Sequence, residues 1–267
     1  MLTDDEVEEA VASLDAAERN RTQIGLLSLK YPNMTMDDAY VVQAAWNKRK
    51  IEAGRAVIGW KIGLTSRTMQ AALNIDIPDS GVLFDDMVFD DSATIPANRF
   101  IQPRIEAEIA FFMSKSLKGP NVTLFDVLDA TAYVMPALEI LDTRIVRSDP
   151  TTKKTRTIVD TIADNAADAG IILGGRPVRP VDVDMRWMGA IVSRNAVVEE
   201  TGLGAGVLNN PARGIVWLAN RVAGYGERIE AGQVVLAGSF IRPIEARHGD
   251  TIHADFGSFG SVSCHFA

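Results

Sequence analysis

The first part of the chain alternates apolar and polar positions with the spacing of amphipathic helices. Between Asp4 and Arg21 apolar residues recur every three or four positions, and acids gather at the start, where the helix dipole favours them. A second helical pattern follows the capping residue Thr35 and ends near Gly54. The two patterns predict a helical N-terminal cap over residues 1–55.

From Val57 onward the pattern changes to short apolar runs separated by glycine, proline and aspartate, which is typical of strands. These runs are VIGWKIGL, GVLFDD, RIEAEIAFF, GAIVSRNAVVEE, QVVLAG and SVSCHFA. Short helices are predicted at residues 124–132 and 211–222, and the polar stretch TTKKTRTI after Asp149 is expected to be a mobile loop that could close over a site. The expected fold class is α+β, with a mainly β catalytic body over residues 56–267.

Composition and charge narrow the class of protein. Hydrophobic residues make up 47% of the 267 residues and charged residues 23%, which is typical of a globular protein and excludes a disordered chain. The formal net charge of −8 and the lack of a basic run argue against nucleic acid as a partner. No apolar stretch is long enough to cross a bilayer, and the acidic start is unlike a secretory signal. We therefore expect a cytoplasmic protein that does not bind membranes.

Two glutamates project from one face of the predicted strand RIEAEIAFF. Period-two alternation places Glu106 and Glu108 on the same face as Arg104, opposite the apolar residues of the strand. Adjacent like charges need compensation from solvent, a basic neighbour or a bound cation. Taken alone, this strand favours a solvated outer face with Arg104 as partner of the acids.

A third acid changes this interpretation. Glu139 lies among Leu138, Ile140 and Leu141, where a lone carboxylate would be costly unless it served a ligand or ion. Carboxylates without nearby cysteine or paired histidine favour Mg²⁺, Mn²⁺ or Ca²⁺ over zinc. Three protein ligands also leave coordination positions for water and substrate. The pattern therefore predicts a catalytic metal site rather than a closed structural one.

Six segments occur in a characteristic order along nearly the whole chain. They are GWKIGLTS at residues 59–66, PDSGVLFDDM at 78–87, PRIEAEIAF, YVMPALEILDTR, DTIADNAADAG at 160–170 and the closing GSFGSVSCHF. Together they resemble the fumarylacetoacetate hydrolase-like superfamily, most closely its branch of 2-oxo-alkenoate hydratases and decarboxylases. The resemblance implies a mixed β-sheet roll or barrel of the type found in the C-terminal domain of fumarylacetoacetate hydrolase. It further implies an octahedral Mg²⁺ or Mn²⁺ ion and a homo-oligomer, for which a decamer built from pentamers is one arrangement.

Within this branch, FDDM, DNAADAGIILGGRP and EETGLGAGVLNNPARGIVWLANR are most similar to the 2-oxo-hept-4-ene-1,7-dioate hydratases. The implied activity is the metal-dependent addition of water to a 2-oxo-alkenoic acid, giving 4-hydroxy-2-oxo-heptane-1,7-dioate in meta-cleavage breakdown of aromatic compounds such as 4-hydroxyphenylacetate. Alternatives within the branch are 4-oxalocrotonate decarboxylase and 2-oxopent-4-enoate hydratase. An alternative of another class is a noncatalytic partner in a complex of pathway enzymes.

The resemblance assigns catalytic roles to Lys61 and Asp79 beside the metal ligands Glu106, Glu108 and Glu139. Lys61 alternates onto its own face of a predicted strand, where burial would force its ammonium to find an anion such as a substrate carboxylate. Without the resemblance, the strand favours a lysine whose ammonium reaches solvent at a strand edge. Asp79 is implied to be a general base for water, although an aspartate after proline also suits a turn.

Three residues are candidates for substrate binding. Ser239 follows Gly238 after an apolar run and could hydrogen-bond a carboxylate, or simply form a turn. Leu64 follows the lysine strand and offers backbone contacts, while Asn165 could orient substrate or water. A distal substrate carboxylate would require an additional cation, for which the sequence offers Arg104, Arg144, Arg194 and Arg242.

The remaining motifs carry no predicted chemistry. GLGAG at residues 202–206 lacks the spacing and context of a dinucleotide-binding loop and predicts a turn. The histidines form no HxxxH pair, so we expect His248, His253 and His265 to be structural or exposed. Cys264 lies among small and apolar residues, which predicts a buried strand position.

Overall fold

The structure is a computed structural model that describes residues 1–72, 75 and 77–267. The described helices are α1 (Asp4–Asn20), α2 (Leu27–Lys30), α3 (Met36–Glu52), α4 (Arg67–Ala72), α5 (Leu124–Ala130), α6 (Ile158–Ala163) and α7 (Ala212–Val222). The described strands are β1 (Val57–Gly63), β2 (Asp79–Phe84), β3 (Val88–Phe89), β4 (Ala93–Ile95), β5 (Arg104–Met113), β6 (Thr131–Leu141), β7 (Asp168–Leu173), β8 (Gly189–Arg194), β9 (Val197–Leu203), β10 (Val234–Leu236), β11 (Ile244–Glu245), β12 (Thr251–Asp255) and β13 (Ser261–Phe266).

The two predicted N-terminal helices, α1 and α3, begin at capping residues. The Thr3 and Thr35 side chains each accept a hydrogen bond from the backbone N–H three residues later, which satisfies a donor that the helix leaves unpaired. Apolar residues of these helices then pack around Trp46 in a core that also contains Ile145 and Ile162 from the rest of the chain. The helical region and the body thus share a core.

The strands form two mixed sheets. The larger has the order β2-β1-β10-β5-β6-β7-β3, with β11 paired to the start of β5, and the smaller has the order β4-β13-β12-β8-β9. One apolar core joins them, with Ile105 and Leu138 of the larger sheet and Ile252 and Val262 of the smaller sheet among its fully buried members. This architecture confirms the predicted α+β class.

Strand register determines where the predicted site residues lie. In the antiparallel pair β5–β6, Glu106 stands directly opposite Glu139, and Glu108 stands opposite Ala137. In the neighbouring pair β1–β2, Gly63 stands opposite Asp79. Like charges placed directly across a strand pair destabilise a sheet, so the Glu106–Glu139 pairing requires another explanation.

Two regions differ from the sequence prediction or were not foreseen. The helix predicted at residues 124–132 ends at Ala130, because the chain continues directly into the long strand β6. The stretch around residues 158–173 forms α6, a short turn and the buried strand β7, although it is rich in alanine and aspartate. Tertiary contacts therefore override local propensity here.

The minor predictions for the C-terminal strands are confirmed. Cys264 is a free, buried cysteine on β13, and burial raises the pKa of its thiol to about 12. His248 and His253 are exposed, and His265 lies 2.9 Å from the Thr251 hydroxyl.

Among the described helices, none combines the length and apolar character that crossing a bilayer would demand.

Candidate active site

Three glutamates from the two central strands converge at one point. Each of Glu106, Glu108 and Glu139 offers a carboxylate oxygen, and these oxygens all lie within 4.8 Å of one another. We call these residues the carboxylate cluster. Glu108 and Glu139 are fully buried and Glu106 is half-buried. The solvated face that the strand alone favoured is therefore wrong, because the fold covers these acids.

Several oxygens of the cluster have no hydrogen-bond partner in the described part of the chain. The backbone N–H of Gly238 donates to one oxygen of Glu108 at 2.8 Å, but the other Glu108 oxygen and one Glu139 oxygen have no partner there, and the second Glu139 oxygen has only the Lys61 ammonium, 3.1 Å away. Gly238 has a φ of +113°, and a side chain there would overlap with Thr65. Its backbone can approach Glu108 because it is glycine.

The electrostatics of the cluster favour a bound cation. Burial, together with repulsion by Glu139, raises the pKa of Glu106 to about 8 and raises that of Glu108 well above its usual range. A cation relieves both the repulsion and the lost hydration, and it binds the oxygens that are otherwise unpartnered. Oxygen donors at this spacing suit Mg²⁺, Mn²⁺ or Ca²⁺. The residues present therefore fit a divalent metal ion.

Lys61 on β1 reaches the cluster from the side. Its ammonium nitrogen lies 3.1 Å from a Glu139 oxygen and donates to the Ala166 carbonyl at 3.2 Å. Burial opposes the charge, but attraction by Glu139 and Asp79 outweighs it and raises the pKa of Lys61. The fold thus holds a buried, charged ammonium against the carboxylates, and the strand-edge lysine with a solvated ammonium is excluded.

Asp79 lies at the start of β2 beside the same ammonium. Burial raises its pKa, and the nearby charge of Lys61 opposes that rise. A side chain at Gly63, opposite Asp79, would overlap with an Asp79 oxygen and approach the Lys61 nitrogen to 3.2 Å. One oxygen of Asp79 has no hydrogen-bond partner among the described residues. Asp79 therefore offers an acceptor or proton-exchanging group next to Lys61.

A cavity of about 710 Å³ opens onto these groups. Lys61, Asp79 and Glu106 line it. Two of the predicted substrate-binding residues, Leu64 and Ser239, also line it. The Ser239 hydroxyl lies 2.9 Å from the Ile241 carbonyl and accepts a hydrogen bond from the Ile241 N–H at 3.2 Å, which fixes its position at the wall.

Asn165 lies behind the cavity wall rather than on it. Its amide exchanges two hydrogen bonds with the backbone of Val82 on β2, at 2.8 and 2.9 Å. Asn165, Ala166 and Ala167 all have positive φ, a rare conformation for residues other than glycine, and the turn directs the Ala166 carbonyl toward Lys61. These hydrogen bonds hold Asn165 in the turn. A direct contact between Asn165 and substrate stays a prediction.

Of the four arginines considered for a distal carboxylate, the structure brings one to the cavity. Arg104 lines it, whereas Arg144 is buried against Asp164. Arg194 and Arg242 form ion pairs with glutamates of β9.

Sequence reasoning missed Arg147 and Arg156, which both line the cavity. Arg147 precedes the polar stretch TTKKTRTI and Arg156 lies within it. Their place at a loop expected to close over a site was the signal that could have identified them. Sequence reasoning also missed Asp168 on β7, which is fully buried. Burial and repulsion by Glu139 raise its pKa well above the usual range.

The fold and the carboxylate cluster define a metal-binding member of the class of 2-oxo acid hydratases and decarboxylases. The chain belongs to the hydratase and decarboxylase branch of the fumarylacetoacetate hydrolase-like superfamily, as its sequence predicted. It is 56% identical to the 2-oxo-hept-4-ene-1,7-dioate hydratase of Escherichia coli over 253 residues, 95% of each chain. It is 39% identical to the 2-keto-4-pentenoate hydratase of Paraburkholderia xenovorans strain LB400 over 265 residues, 99% of this chain and 96% of that one.

A solved structure supports the same assignment. The 4-oxalocrotonate decarboxylase from Pseudomonas putida G7, complexed with magnesium and adipate, is 34% identical and superposes with a TM-score of 0.94. The alignment covers 100% of this chain and 99% of that one. No family model matches the sequence. Membership therefore rests on full-length relatives and on the fold.

Proposed function

We propose that the protein is a magnesium-dependent hydratase that converts 2-oxo-hept-4-ene-1,7-dioate to 4-hydroxy-2-oxo-heptane-1,7-dioate. The observation that carries this proposal is the buried carboxylate cluster, which lies directly beside Lys61 and whose Glu106 lines the same cavity as Lys61. The 56% identity to a relative named for this reaction supports the choice of substrate.

Glu106, Glu108 and Glu139 would hold the metal ion. Bound there, Mg²⁺, or Mn²⁺ in its place, would act as a Lewis acid toward the 1-carboxylate and 2-oxygen of the substrate. With three protein ligands, the site leaves room for both substrate oxygens. This assignment explains why the sheet tolerates Glu106 opposite Glu139.

The side chains around the cavity supply the remaining chemistry. Lys61, kept charged by its acidic neighbours, would donate a hydrogen bond where negative charge develops on the substrate. A proton must leave C3 and one must reach C5, which moves the double bond into conjugation with the 2-oxo group. Water then adds its hydroxyl to C4 and a proton returns to C3. Asp79 would accept the proton from this water, since its oxygen lacks another partner among the described residues.

Residues of the cavity wall would position the substrate. Leu64 has a positive φ of 55°, and its carbonyl accepts a hydrogen bond from Gln70 at 2.7 Å. This contact fixes the backbone at the cavity wall. We assign Leu64 and Ser239 to positioning of the substrate, and Asn165 to support of the turn that carries Ala166.

A comparison of two substrates tests the reaction. Purified protein with Mg²⁺ is supplied with 2-oxo-hept-4-ene-1,7-dioate and, separately, with 4-oxalocrotonate. We expect 4-hydroxy-2-oxo-heptane-1,7-dioate from the first and little CO₂ from the second. Rapid CO₂ release from 4-oxalocrotonate would instead identify a decarboxylase.

A pair of variants separates catalysis from a noncatalytic role. Glu106→Gln removes one predicted ligand, whereas Glu199→Gln neutralises an acid of the smaller sheet that is paired with Arg194. We expect Glu106→Gln to lose both turnover and Mg²⁺ binding by calorimetry, and Glu199→Gln to retain both. Unchanged turnover in Glu106→Gln, with no detectable Mg²⁺ binding to the parent protein, would refute the metal-dependent mechanism.

We also propose a cytoplasmic homo-oligomer that acts in the breakdown of aromatic compounds such as 4-hydroxyphenylacetate. Exposed apolar side chains on the smaller sheet support association between copies, among them Ile191, Val197, Val198 and Leu203. Light scattering of the purified protein distinguishes a decamer built from pentamers from smaller assemblies.

A further inference from the structure

Two arginines, Arg147 and Arg156, lie on the cavity wall. The Arg156 N–H donates to the Arg147 carbonyl at 2.9 Å, next to a strand-like bridge between Ser148 and Thr155. Both residues line the cavity that contains Lys61. We call them the arginine pair. The short hairpin between them holds both arginines to the same part of the wall.

The arginine pair has unsatisfied donors. The Nε of Arg147 and one terminal nitrogen of Arg156 are buried without a hydrogen-bond partner in the described ranges. Within the same ranges, neither of these arginines forms an ion pair within 4.0 Å, and Arg104 forms none either. Burial and repulsion by Arg104 and Arg156 lower the pKa of Arg147 to about 10. Arg104, Arg147 and Arg156 therefore lie near one another at this wall, and Asp79 is close enough to Arg156 to attract its charge.

Another buried arginine shows how this protein satisfies a structural guanidinium. Arg144 donates to the Asp164 carboxylate and to the carbonyl oxygens of Asp164 and Asp168. A buried cation without such contacts is costly unless a ligand provides them. The contrast indicates that the arginine pair is arranged for an anion that enters the cavity.

The cavity wall carries both an acid of the carboxylate cluster and three arginines. Arg104 and Glu106 lie two residues apart on the same face of β5, which separates their Cα atoms by about 7 Å. Arg104 therefore lies next to the carboxylate cluster and close enough to Arg147 to repel its charge. A substrate with a metal-chelating group at one end and a carboxylate at the other could place the first on the cluster and the second on the arginines.

We propose that Arg147 and Arg156, with Arg104 beside them, bind the second carboxylate of a dicarboxylic 2-oxo acid and so select diacids over monoacids. This inference rests on the proposed function for the orientation of the substrate. Guanidinium groups bind carboxylates through paired hydrogen bonds, which also fixes the distance between the two ends of the ligand.

Calorimetry with adipate and hexanoate in the presence of Mg²⁺ tests the proposal without turnover. Both probes have six carbons, but only adipate has a second carboxylate. We expect the parent protein to prefer adipate, and Arg147→Met or Arg156→Met to weaken adipate binding about 100-fold while hexanoate binding changes little. Arg194→Met, which removes an arginine of the smaller sheet, should keep the parent preference.

Thermal unfolding distinguishes ligand binding from a structural role. Because each half-buried guanidinium has a buried nitrogen without a hydrogen-bond partner among the described residues, we expect either methionine variant to unfold at the same temperature as the parent protein or higher. The proposal would be overturned if the variants lost affinity for adipate and hexanoate equally, or if both variants kept the preference for adipate. It would also be overturned if the parent protein showed no preference.

Turnover then separates this proposal from the proposed function. We expect the variants to lose kcat/KM about 100-fold for 2-oxo-hept-4-ene-1,7-dioate, mainly through KM, and to retain kcat/KM for 2-oxopent-4-enoate. A parent protein that hydrates neither substrate, but whose adipate preference depends on the arginines, would refute the hydratase and support the diacid site. Equal losses for both substrates would refute the selectivity.

Discussion

The ammonium nitrogen of Lys61 lies 3.1 Å from a carboxylate oxygen of Glu139, and both side chains are closed off from solvent. This single positive charge faces the three acids of the carboxylate cluster. When all four groups are ionised, two negative charges remain, which equals the charge of one divalent cation. A bound divalent cation would therefore neutralise the charge of these four groups.

Metal binding should stabilise the protein. In the metal-free form the cluster suffers repulsion and lost hydration, so Mg²⁺ at about 100 times its Kd should raise the Tm by about 5 to 10 °C. Differential scanning calorimetry after chelation and after addition of Mg²⁺ measures this shift. Glu108→Gln removes one repelling charge, so its metal-free form should unfold at a higher temperature and gain less from Mg²⁺. A destabilised metal-free variant with an unchanged Mg²⁺ shift would contradict the assignment.

Replacement of Lys61 should separate binding from chemistry. Lys61→Met removes the buried ammonium, and we expect turnover to fall about 100- to 10 000-fold. Mg²⁺ binding should be retained or tighter, because the competing positive charge beside Glu139 has gone. Steady-state kinetics measures the loss of turnover, and calorimetry measures Mg²⁺ binding. Lys115→Met, in an exposed pair with Asp129, is the matched control, and Mg²⁺ binding lost together with turnover would point to a structural lysine.

One added methyl group should disturb the proton-transfer groups. Gly63→Ala puts a carbon against the Asp79 carboxylate and within 3.2 Å of the Lys61 nitrogen. A displacement of catalytic groups by about 1 Å can cost about 100-fold in rate, and we expect a loss of that order in kcat. Gly224→Ala adds the same methyl group where the described structure leaves open space and should leave kcat unchanged. Equal kcat values in the two variants would show that the positions of Asp79 and Lys61 around Gly63 do not matter.

The ion pairs of Glu18 predict a pH dependence of stability. Although burial opposes its charge, Lys50 at 2.8 Å and Arg55 at 3.1 Å help to lower the Glu18 pKa from 4.5 to about 2. A lowered folded-state pKa stabilises the protein above pH 4.5, and this contribution of at most about 3 kcal/mol is lost as the pH falls toward 2. Glu18→Gln should therefore reduce the free energy of unfolding at pH 6 and reduce it progressively less toward pH 3.

Urea unfolding at several pH values measures this difference. Glu52→Gln, an exposed acid that lies 3.9 Å from Lys48, is the control and should change the free energy of unfolding by less than about 0.5 kcal/mol at every pH. A difference between Glu18→Gln and the parent protein that is constant from pH 6 to pH 3 would contradict the lowered pKa.

Local sequence patterns predicted the parts of the site that lie on regular strands. The alternation in β5 placed Glu106 and Glu108 on one face, and the apolar neighbours of Glu139 indicated a buried acid. Their convergence depends on the register of β5 and β6, which the sequence did not specify. The family resemblance supplied that information.

The irregular segments resisted prediction because long-range contacts determine their course. The chain before Arg147 is held by a bridge between Ile24 and Ile145 and by Gln23, which donates to the Thr143 carbonyl at 2.9 Å. No local pattern encodes such contacts. The left-handed turn at Asn165 is similar, since its amide depends on the backbone of a distant strand.

The side chain of Gln43 in α3 donates to the carbonyl of Ser80, next to Asp79, and to that of Ile162 in α6, both at 2.8 Å. A glutamine of the helical region thus fastens two segments that support the active site. Recombination between two homologous genes at residue 55 would join the Gln43 amide of one relative to the Ser80 and Ile162 carbonyls of another. A chimaera of two relatives should therefore keep a working site only where one parent supplies a glutamine at position 43 and the other places these two backbone carbonyls in the same positions. The inheritance of the helical region is thereby linked to that of the body.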